Sequence, residues 1–257
     1  MTSATLSPNS LAQELWQTAW GKPWPYQSSD KITKPTIVAD EDVPMVVDSS
    51  DDREDNDGEN DSSTTPSELE YTFLYNIKSV VRACFGNEKA VGDVLVVRAE
   101  YVLLREMLET GYASRTEAIV ITGQPGIGKT VFLLYLLLWR LEHKLPTAIQ
   151  LAADTFVTFD DKGAVDLSTE QRIRLQDEYW ALADSNAQII QPCAVFLNSP
   201  VRHVIQASSP TPDRWKEWIK QSMGRVVVTD LPHTLEVLAI IKQLKLDMAD
   251  AYRLIKK

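Results

Sequence analysis

Residues 123–130 read GQPGIGKT, and this stretch decides the fold that the sequence predicts. Before it, the apolar and β-branched run over 118–122 has the length of a buried strand. After it, the apolar run over 131–144 is too long for a strand and stops just before Leu145 and Pro146, so it predicts a helix. The order is therefore strand, glycine-rich loop, helix. This is the setting that the phosphate-loop (Walker A) pattern G-x-x-x-x-G-K-[ST] requires.

The fixed residues of this pattern have chemical roles. Glycines can adopt backbone angles that are closed to residues with a Cβ, so successive N–H groups can turn inward around a phosphate. Lys129 supplies a mobile cation for the β- and γ-phosphates, and Thr130 supplies a hydroxyl for Mg²⁺. The N-terminus of the following helix adds partial positive charge, so we expect ATP or GTP to bind here with Mg²⁺. The predicted nucleotide-binding residues are Gly123, Gln124, Pro125, Gly126, Ile127, Gly128, Lys129 and Thr130.

A site of this kind also needs an acidic side chain at a strand end to hold Mg²⁺. Asp160 and Asp161 follow one apolar run, but they lie in a predicted hairpin, where aspartates are common turn formers. Asp184 ends the strand predicted over 179–184, the usual place for this acid when another strand is inserted beside the first. We therefore predict Thr130 and Asp184 as the metal ligands, with Asp160 as the alternative to Asp184.

The residue after Asp184 bears on turnover. In the additional-strand class of ATPases, a glutamate often follows the metal-binding acid and orients the attacking water. This chain has Ser185 in that place. Hydrolysis is therefore expected to be slow, to use Glu178 or Asp160 from elsewhere, or to be absent.

The rest of the chain continues the alternation of strands and helices. Further strands are predicted over 147–152, 179–184, 202–208 and 224–230, with a hairpin that turns at residues 161–163. Helices are predicted around RWKEWIKQ and after the last strand. This alternation predicts an α/β fold of the additional-strand phosphate-loop NTPase type, with a mostly parallel sheet and helices on both faces. Ligands bind at the carboxyl ends of such strands, where the glycine loop lies.

The acidic charge of the chain is concentrated ahead of this core. The chain carries 26 basic and 36 acidic residues, and the run DSSDDREDNDGENDSS accounts for most of the imbalance. We predict that residues 28–69 form a disordered acidic linker, which either only solvates the chain or binds a basic partner. Residues 1–27 contain LAQELWQTAWGKPW, a short apolar helix that either docks on the domain or binds a protein partner.

The predicted domain organisation has four parts: residues 1–27, the linker over 28–69, a flanking segment over 70–117, and the core over 118–257. The flanking segment lies just upstream of the first core strand, so Arg98 and Tyr101 are candidates for the adenine pocket by position. The core leaves only residues 246–257 for a C-terminal helical lid, and the sequence leaves open whether the core has this lid.

Several other classes of function are not expected. Cys84 and Cys193 lie far apart in sequence, which fits a reducing, intracellular compartment, cytoplasmic or nuclear. The run VFLLYLLLW is too short to span a membrane, which takes about 20 residues. Trp215, Trp218 and Ile219 share one face of a helix, as core packing requires, so nucleic-acid binding by RWKEWIKQ is not expected.

Four motifs together resemble a known family: ITGQPGIGKT, WALADS, ASSP followed by RWKEWIKQ, and DLP followed by a helix with Glu236. They resemble the phosphate-loop domain of Crinkler and retrotransposon-hot-spot-type proteins, which are abundant in mushroom-forming fungi. The resemblance covers about residues 94–257. It implies that Lys129 and Thr130 bind the nucleotide phosphates and Mg²⁺, and that Asp184 binds the metal.

The resemblance also implies a function. It points to a switch module that binds a nucleoside triphosphate, ATP rather than GTP, and it leaves open whether the module hydrolyses it with Mg²⁺. The alternative is a non-hydrolysing nucleotide-binding interaction module, and a small-molecule kinase ranks last. The motifs include neither a Crinkler-type N-terminal header nor an effector domain, so nuclease activity is not expected of this chain.

Overall fold

The structure is a computed structural model that describes residues 10–33, 67–85, 92–110, 117–150, 152–185 and 189–247. In chain order the strands are β1 (Gln27–Thr33), β2 (Glu68–Tyr75), β3 (Val94–Val96), β4 (Glu117–Thr122), β5 (Thr147–Gln150), β6 (Thr155–Asp160), β7 (Gly163–Ser168), β8 (Trp180–Asp184), β9 (His203–Ala207) and β10 (Arg225–Val228). The α-helices are α1 (Ser10–Ala19), α2 (Ile77–Phe85), α3 (Ala99–Thr110), α4 (Lys129–Glu142), α5 (Ala194–Asn198), α6 (Lys216–Gln221) and α7 (Thr234–Gln243).

A seven-stranded mixed sheet forms the centre of the fold, in the order β10-β4-β9-β8-β5-β6-β7. The strands from β10 to β5 in this order run parallel. Strands β6 and β7 extend the sheet as an antiparallel hairpin. The predicted α/β fold with a mostly parallel sheet is confirmed, and β9 is inserted between β4 and β8.

Helices cover both faces of this sheet, because its strand residues alternate between two apolar clusters. Ile121 of β4 belongs to the cluster that contains α4, and its neighbour Val120 belongs to the cluster that contains α6. Helix α6 buries Trp218 and Ile219 there, so their predicted place in the core is confirmed. Burial of each large apolar side chain stabilises the fold by about 1.5–3 kcal/mol. Helix α4 is buried almost all round, through Phe132, Leu133, Leu134, Tyr135, Leu136, Leu137 and Leu138.

A second, three-stranded sheet forms beside the large one, in the order β1-β2-β3. Its strands are antiparallel. Helix α7 covers one face, where Leu235 and Leu238 pack in one cluster with Phe73 of β2 and Val96 of β3. The small sheet and α7 therefore share one apolar core, which lies next to the glycine loop in the fold.

Strand β1 corrects the predicted start of the acidic linker. Residues 28–33 were expected to be disordered, but they pair with β2 in a register that runs to Thr33 opposite Glu68. The sequence QSSDKIT hides this strand, because it lies at an edge of the small sheet and buries only Ile32. Polar contacts hold it instead: Asp30 forms an ion pair with Lys242 of α7, with 2.7 Å between Oδ2 and Nζ. Most of the predicted linker, and residues 248–257 of the expected lid region, lie outside the described residues.

The N-terminal helix α1 docks on the domain, which decides between its two predicted roles. Ala12, Leu15 and Ala19 are buried in the same cluster as α4. The Trp16 indole N–H donates a 2.7 Å hydrogen bond to the backbone oxygen of Asp160. The flanking segment contains most of β2, together with α2, β3 and α3. None of the helices in the described ranges is long and apolar enough to cross a membrane.

Candidate functional site

The glycine loop over residues 123–130 joins β4 to α4, as its sequence predicts. Gly128 is the N-cap of α4, with a positive φ of 96°. A Cβ at Gly128 would lie 2.3 Å from the Tyr101 hydroxyl oxygen, so both the backbone angle and the available space call for glycine there. The loop therefore presents the N-terminus of a 14-residue helix at the edge of the sheet where the parallel strands end.

Lys129 places its cation across this loop. Its Nζ donates hydrogen bonds of 2.8 Å to the backbone oxygens of Gly123 and Gln124. Partial burial lowers the pKa of Lys129, and the nearby Asp184 charge opposes that shift. The ammonium group is therefore held by backbone dipoles, and an anionic ligand can replace them as its partner.

Thr130 and Asp184 meet although 54 residues separate them in sequence. The Thr130 hydroxyl donates a 3.0 Å hydrogen bond to Asp184 Oδ1. The strand register explains the contact, because Asp184 of β8 lies opposite Ala207 of β9, and Ala207 lies opposite Ile121 of β4. Asp184 is buried. A hydroxyl and a carboxylate are the oxygen donors that Mg²⁺ prefers, so the pair fits the predicted metal ligands.

The alternative acids lie at the other edge of the sheet. Asp160 ends β6, which runs antiparallel to β5, and its neighbour Phe159 pairs with Thr147 at the start of β5. The Asp160 carboxylate accepts a 2.6 Å hydrogen bond from the Tyr179 hydroxyl. Glu178 precedes β8 at the same edge. The structure therefore brings Asp184, and neither Asp160 nor Glu178, to the glycine loop.

The position after Asp184 carries no acid or base. The Ser185 hydroxyl donates a 3.1 Å hydrogen bond to the backbone oxygen of Ile189.

Two buried hydroxyls lie at the same edge of the sheet as Asp184: Thr122 ends β4, and Ser208 follows β9. Within the described part of the chain, neither Thr122 Oγ1 nor Ser208 Oγ has a hydrogen-bond partner. Buried hydroxyls normally have partners, so a ligand or water beside the loop would satisfy them.

These features give a cation, the N-terminus of a helix, and an oxygen pair for a metal ion. This combination suits an anion with several phosphates. No model of a known protein family matches this chain, and no curated protein matches it. The chemistry of these residues therefore carries the functional argument.

A cavity of about 570 Å³ opens beside the glycine loop. Strand β3 contributes Val94 and Val96 to its wall, and Ile240 and Leu244 contribute apolar side chains from α7 and its C-cap. Arg98 and Tyr101 line it too, as their position in the sequence predicts. Sequence reasoning missed the contribution of α7, because nothing local in HTLEVLAIIKQL indicates that this helix packs next to β3.

Proposed function

We propose that this chain binds ATP with Mg²⁺ at the glycine loop and Asp184. The hydrogen bond from Thr130 to Asp184 carries the proposal, because it joins a loop hydroxyl to a carboxylate two strands away. The insertion of β9 between β4 and β8 supports assignment to the additional-strand class of phosphate-loop NTPases. The chemistry of the donors fits the ligand: a lysine for phosphate oxygens and two oxygen groups for Mg²⁺.

Each residue has a distinct role in this proposal. The loop N–H groups bind the phosphate oxygens, and Lys129 neutralises charge on the β- and γ-phosphates. Thr130 and Asp184 hold Mg²⁺ directly or through its water shell. When bound, Mg²⁺ neutralises phosphate charge. Thr122 and Ser208 place hydroxyls at the same edge of the sheet.

The base pocket favours adenine. The Val97 N–H donates to the backbone oxygen of Thr72 in β2. On the opposite edge of β2, the Tyr75 N–H donates to the backbone oxygen of Tyr26. Because strand amides alternate in direction, Val94 and Val96 direct their N–H and C=O groups away from β2, at the open edge of β3. One such pair matches the N1 acceptor and the 6-amino donor of adenine.

Guanine would need a different environment. Its N1–H and 2-amino groups are both donors and are best matched by a carboxylate. Among the described residues that line the cavity, none is Asp or Glu. We therefore propose ATP rather than GTP as the ligand.

Turnover is proposed to be slow. Ser185 occupies the place where a glutamate orients water in many ATPases, and its hydroxyl is already bonded to Ile189. This observation favours the second candidate function, a nucleotide-binding interaction module that does not hydrolyse its ligand. The role of a switch module in a Crinkler-type protein rests on the sequence resemblance alone and is proposed on that basis.

The test is equilibrium binding of ATP and GTP with and without Mg²⁺, run beside phosphate release. Asp184→Asn and Asp160→Asn form a matched pair, because both remove one charge and keep the size of the side chain. We expect tighter binding of ATP than GTP. Asp184→Asn should weaken the Mg²⁺-dependent part about 10- to 100-fold, while Asp160→Asn binds like the wild type.

The outcomes separate the two candidates. Phosphate release that Asp184→Asn abolishes and Asp160→Asn preserves would support an NTPase. Binding without release would support the interaction module. A wild-type chain that binds neither nucleotide would overturn both.

A further inference from the structure

Two side chains at the start of α3 form hydrogen bonds with backbone carbonyls of the glycine loop. Arg98 Nη1 donates a 3.1 Å hydrogen bond to the backbone oxygen of Ile127. The Tyr101 hydroxyl donates a 3.0 Å hydrogen bond to the backbone oxygen of Gly128. Both side chains are only 3% exposed. Two successive carbonyls of the loop thus accept hydrogen bonds from the start of α3, and the Gly128 oxygen also accepts a 2.8 Å hydrogen bond from the Phe132 N–H of α4.

We propose that Arg98 and Tyr101 are positioning residues that shape the loop for triphosphate. In a trans peptide, the C=O and N–H of one unit point in opposite directions. The structure has no cis peptide bond in its described residues. Holding the Ile127 and Gly128 oxygens on the α3 side therefore turns the N–H groups of Gly128 and Lys129 the other way, towards the place proposed for phosphate. The inference rests on the proposed function.

Arg98 is paired with protein groups and is not proposed as a direct phosphate ligand. Its guanidinium lies 2.9 Å from Glu100 Oε2 and 3.5 Å from Glu236 Oε2. Its Nη2 also donates a 3.0 Å hydrogen bond to the backbone oxygen of Asp230. These partners surround the cation with two carboxylates and two carbonyls, so it is held in one place behind the loop.

The same network reaches the other wall of the cavity. Glu236 accepts hydrogen bonds from the N–H groups of Ala99 and His233, at 2.9 Å and 3.0 Å. Glu100 accepts one of 2.6 Å from the N–H of Asp230. The segment that follows β10 lines the cavity through Leu231. The shape of the loop is therefore tied to the placement of α7.

Tyr101 offers the cleaner perturbation. Burial raises the pKa of Tyr101 to about 12, so its hydroxyl keeps its proton and donates throughout the physiological range. Its ring packs against Phe132 and Tyr135 of α4, and phenylalanine would keep that packing. Tyr101→Phe therefore removes the hydroxyl's bond to the loop and its interaction with the neighbouring Arg98, and it keeps the packing of the ring.

The chain supplies matched controls for both residues. Tyr135 lies beside Tyr101, but its hydroxyl accepts from Arg105 at 3.3 Å and is not bonded to the loop. Arg105 is a second arginine of α3 paired with carboxylates, Glu106 and Glu109. The test variants are Tyr101→Phe and Arg98→Lys, and the controls are Tyr135→Phe and Arg105→Lys.

The experiment measures dissociation constants for ATP with Mg²⁺, inorganic triphosphate with Mg²⁺, and adenosine. Tyr101→Phe should weaken ATP and triphosphate about five-fold, the effect of one lost hydrogen bond. Arg98→Lys should weaken them more, because lysine cannot reproduce the fork that reaches Ile127 and Asp230. Adenosine should lose clearly less affinity than triphosphate in Tyr101→Phe, because phenylalanine keeps the ring in the cavity wall, and both controls should match the wild type.

The selective loss separates positioning from general stability. A similar loss for adenosine and triphosphate in Tyr101→Phe would overturn the inference, because a loosened fold affects every ligand. Unchanged triphosphate binding in folded Tyr101→Phe would overturn it as well, while the proposed function stands. If the wild type binds no triphosphate, the proposed function fails and the inference fails with it. If Arg98→Lys does not fold, Tyr101→Phe still decides.

Discussion

Substitution of Gly128 by alanine should lower the free energy of unfolding by about 3–6 kcal/mol. The φ of 96° at this N-cap is unfavourable for any residue with a Cβ, by about 1–2 kcal/mol. The new Cβ would lie 2.3 Å from the Tyr101 hydroxyl oxygen. That hydroxyl must move, which adds about 1–3 kcal/mol of overpacking and about 1 kcal/mol for its hydrogen bond to the loop.

A double-mutant cycle separates these contributions. In a Tyr101→Phe background the hydroxyl is gone, and the nearest remaining ring atom, Cζ, would lie 3.6 Å from the new Cβ, which is an ordinary contact. Gly128→Ala should then cost about 2–4 kcal/mol less than it does in the wild type, because both the overpacking and the hydrogen-bond loss are absent. Gly126→Ala is the control, because φ is 79° there and no described atom would lie within 4 Å of its Cβ.

The assay is urea unfolding of the wild type and these variants, followed by tryptophan fluorescence. The expected order of destabilisation is Gly128→Ala above Gly126→Ala, with marked coupling between Gly128→Ala and Tyr101→Phe. Additive effects of these two substitutions would refute the close approach of Tyr101 to the loop. Equal losses for Gly126→Ala and Gly128→Ala would do the same.

Three further predictions concern other parts of the molecule. Ser185→Glu should raise ATP turnover at least about ten-fold, because a carboxylate is restored beside Asp184; Ser185→Gln is the control, and an equal rise in both would contradict a base role. Burial, together with nearby arginines, lowers the pKa of His203 to about 4. Near pH 5 the unfolded chain therefore binds a proton at His203 that the native state does not bind. Stability should therefore fall by about 2 kcal/mol from pH 7.5 to pH 5, and urea titrations of His203→Gln should lack that part of the slope. Trp16→Phe removes the 2.7 Å hydrogen bond to Asp160 and should lower the free energy of unfolding by about 1 kcal/mol, whereas an unchanged value would argue against docking of α1.

The sequence predicts the strands of the large sheet well, because the patterns that predict them are local in sequence. The apolar runs, the glycine loop and the hairpin turn each lie within a few residues, and the strands they predict are present within about two residues of their expected ends. Asp184 could be chosen over Asp160 because strand order, once guessed, fixes which strand ends meet. The register of β8 and β9 is what brings Asp184 to Thr130.

The small sheet shows what could not be predicted. Strand β1 is polar and buries only Ile32, so its composition resembles a linker, and only its pairing with β2 makes it a strand. Helix α5 is short and was not predicted either. Arg98 and Tyr101 could be placed near the loop by position, but their bonds to Ile127 and Gly128 depend on tertiary contacts between α3 and the loop.

The most direct test of the central claim is a calorimetric titration of ATP and Mg²⁺ into the wild type and Lys129→Ala. Lys129 bridges two loop carbonyls and is the cation nearest to the proposed phosphates. The wild type should bind one ATP per chain, and Lys129→Ala should bind about 10- to 100-fold more weakly, as expected for the loss of charged hydrogen bonds. A wild type that takes up no ATP, or a Lys129→Ala variant that binds it equally well, would contradict the proposal.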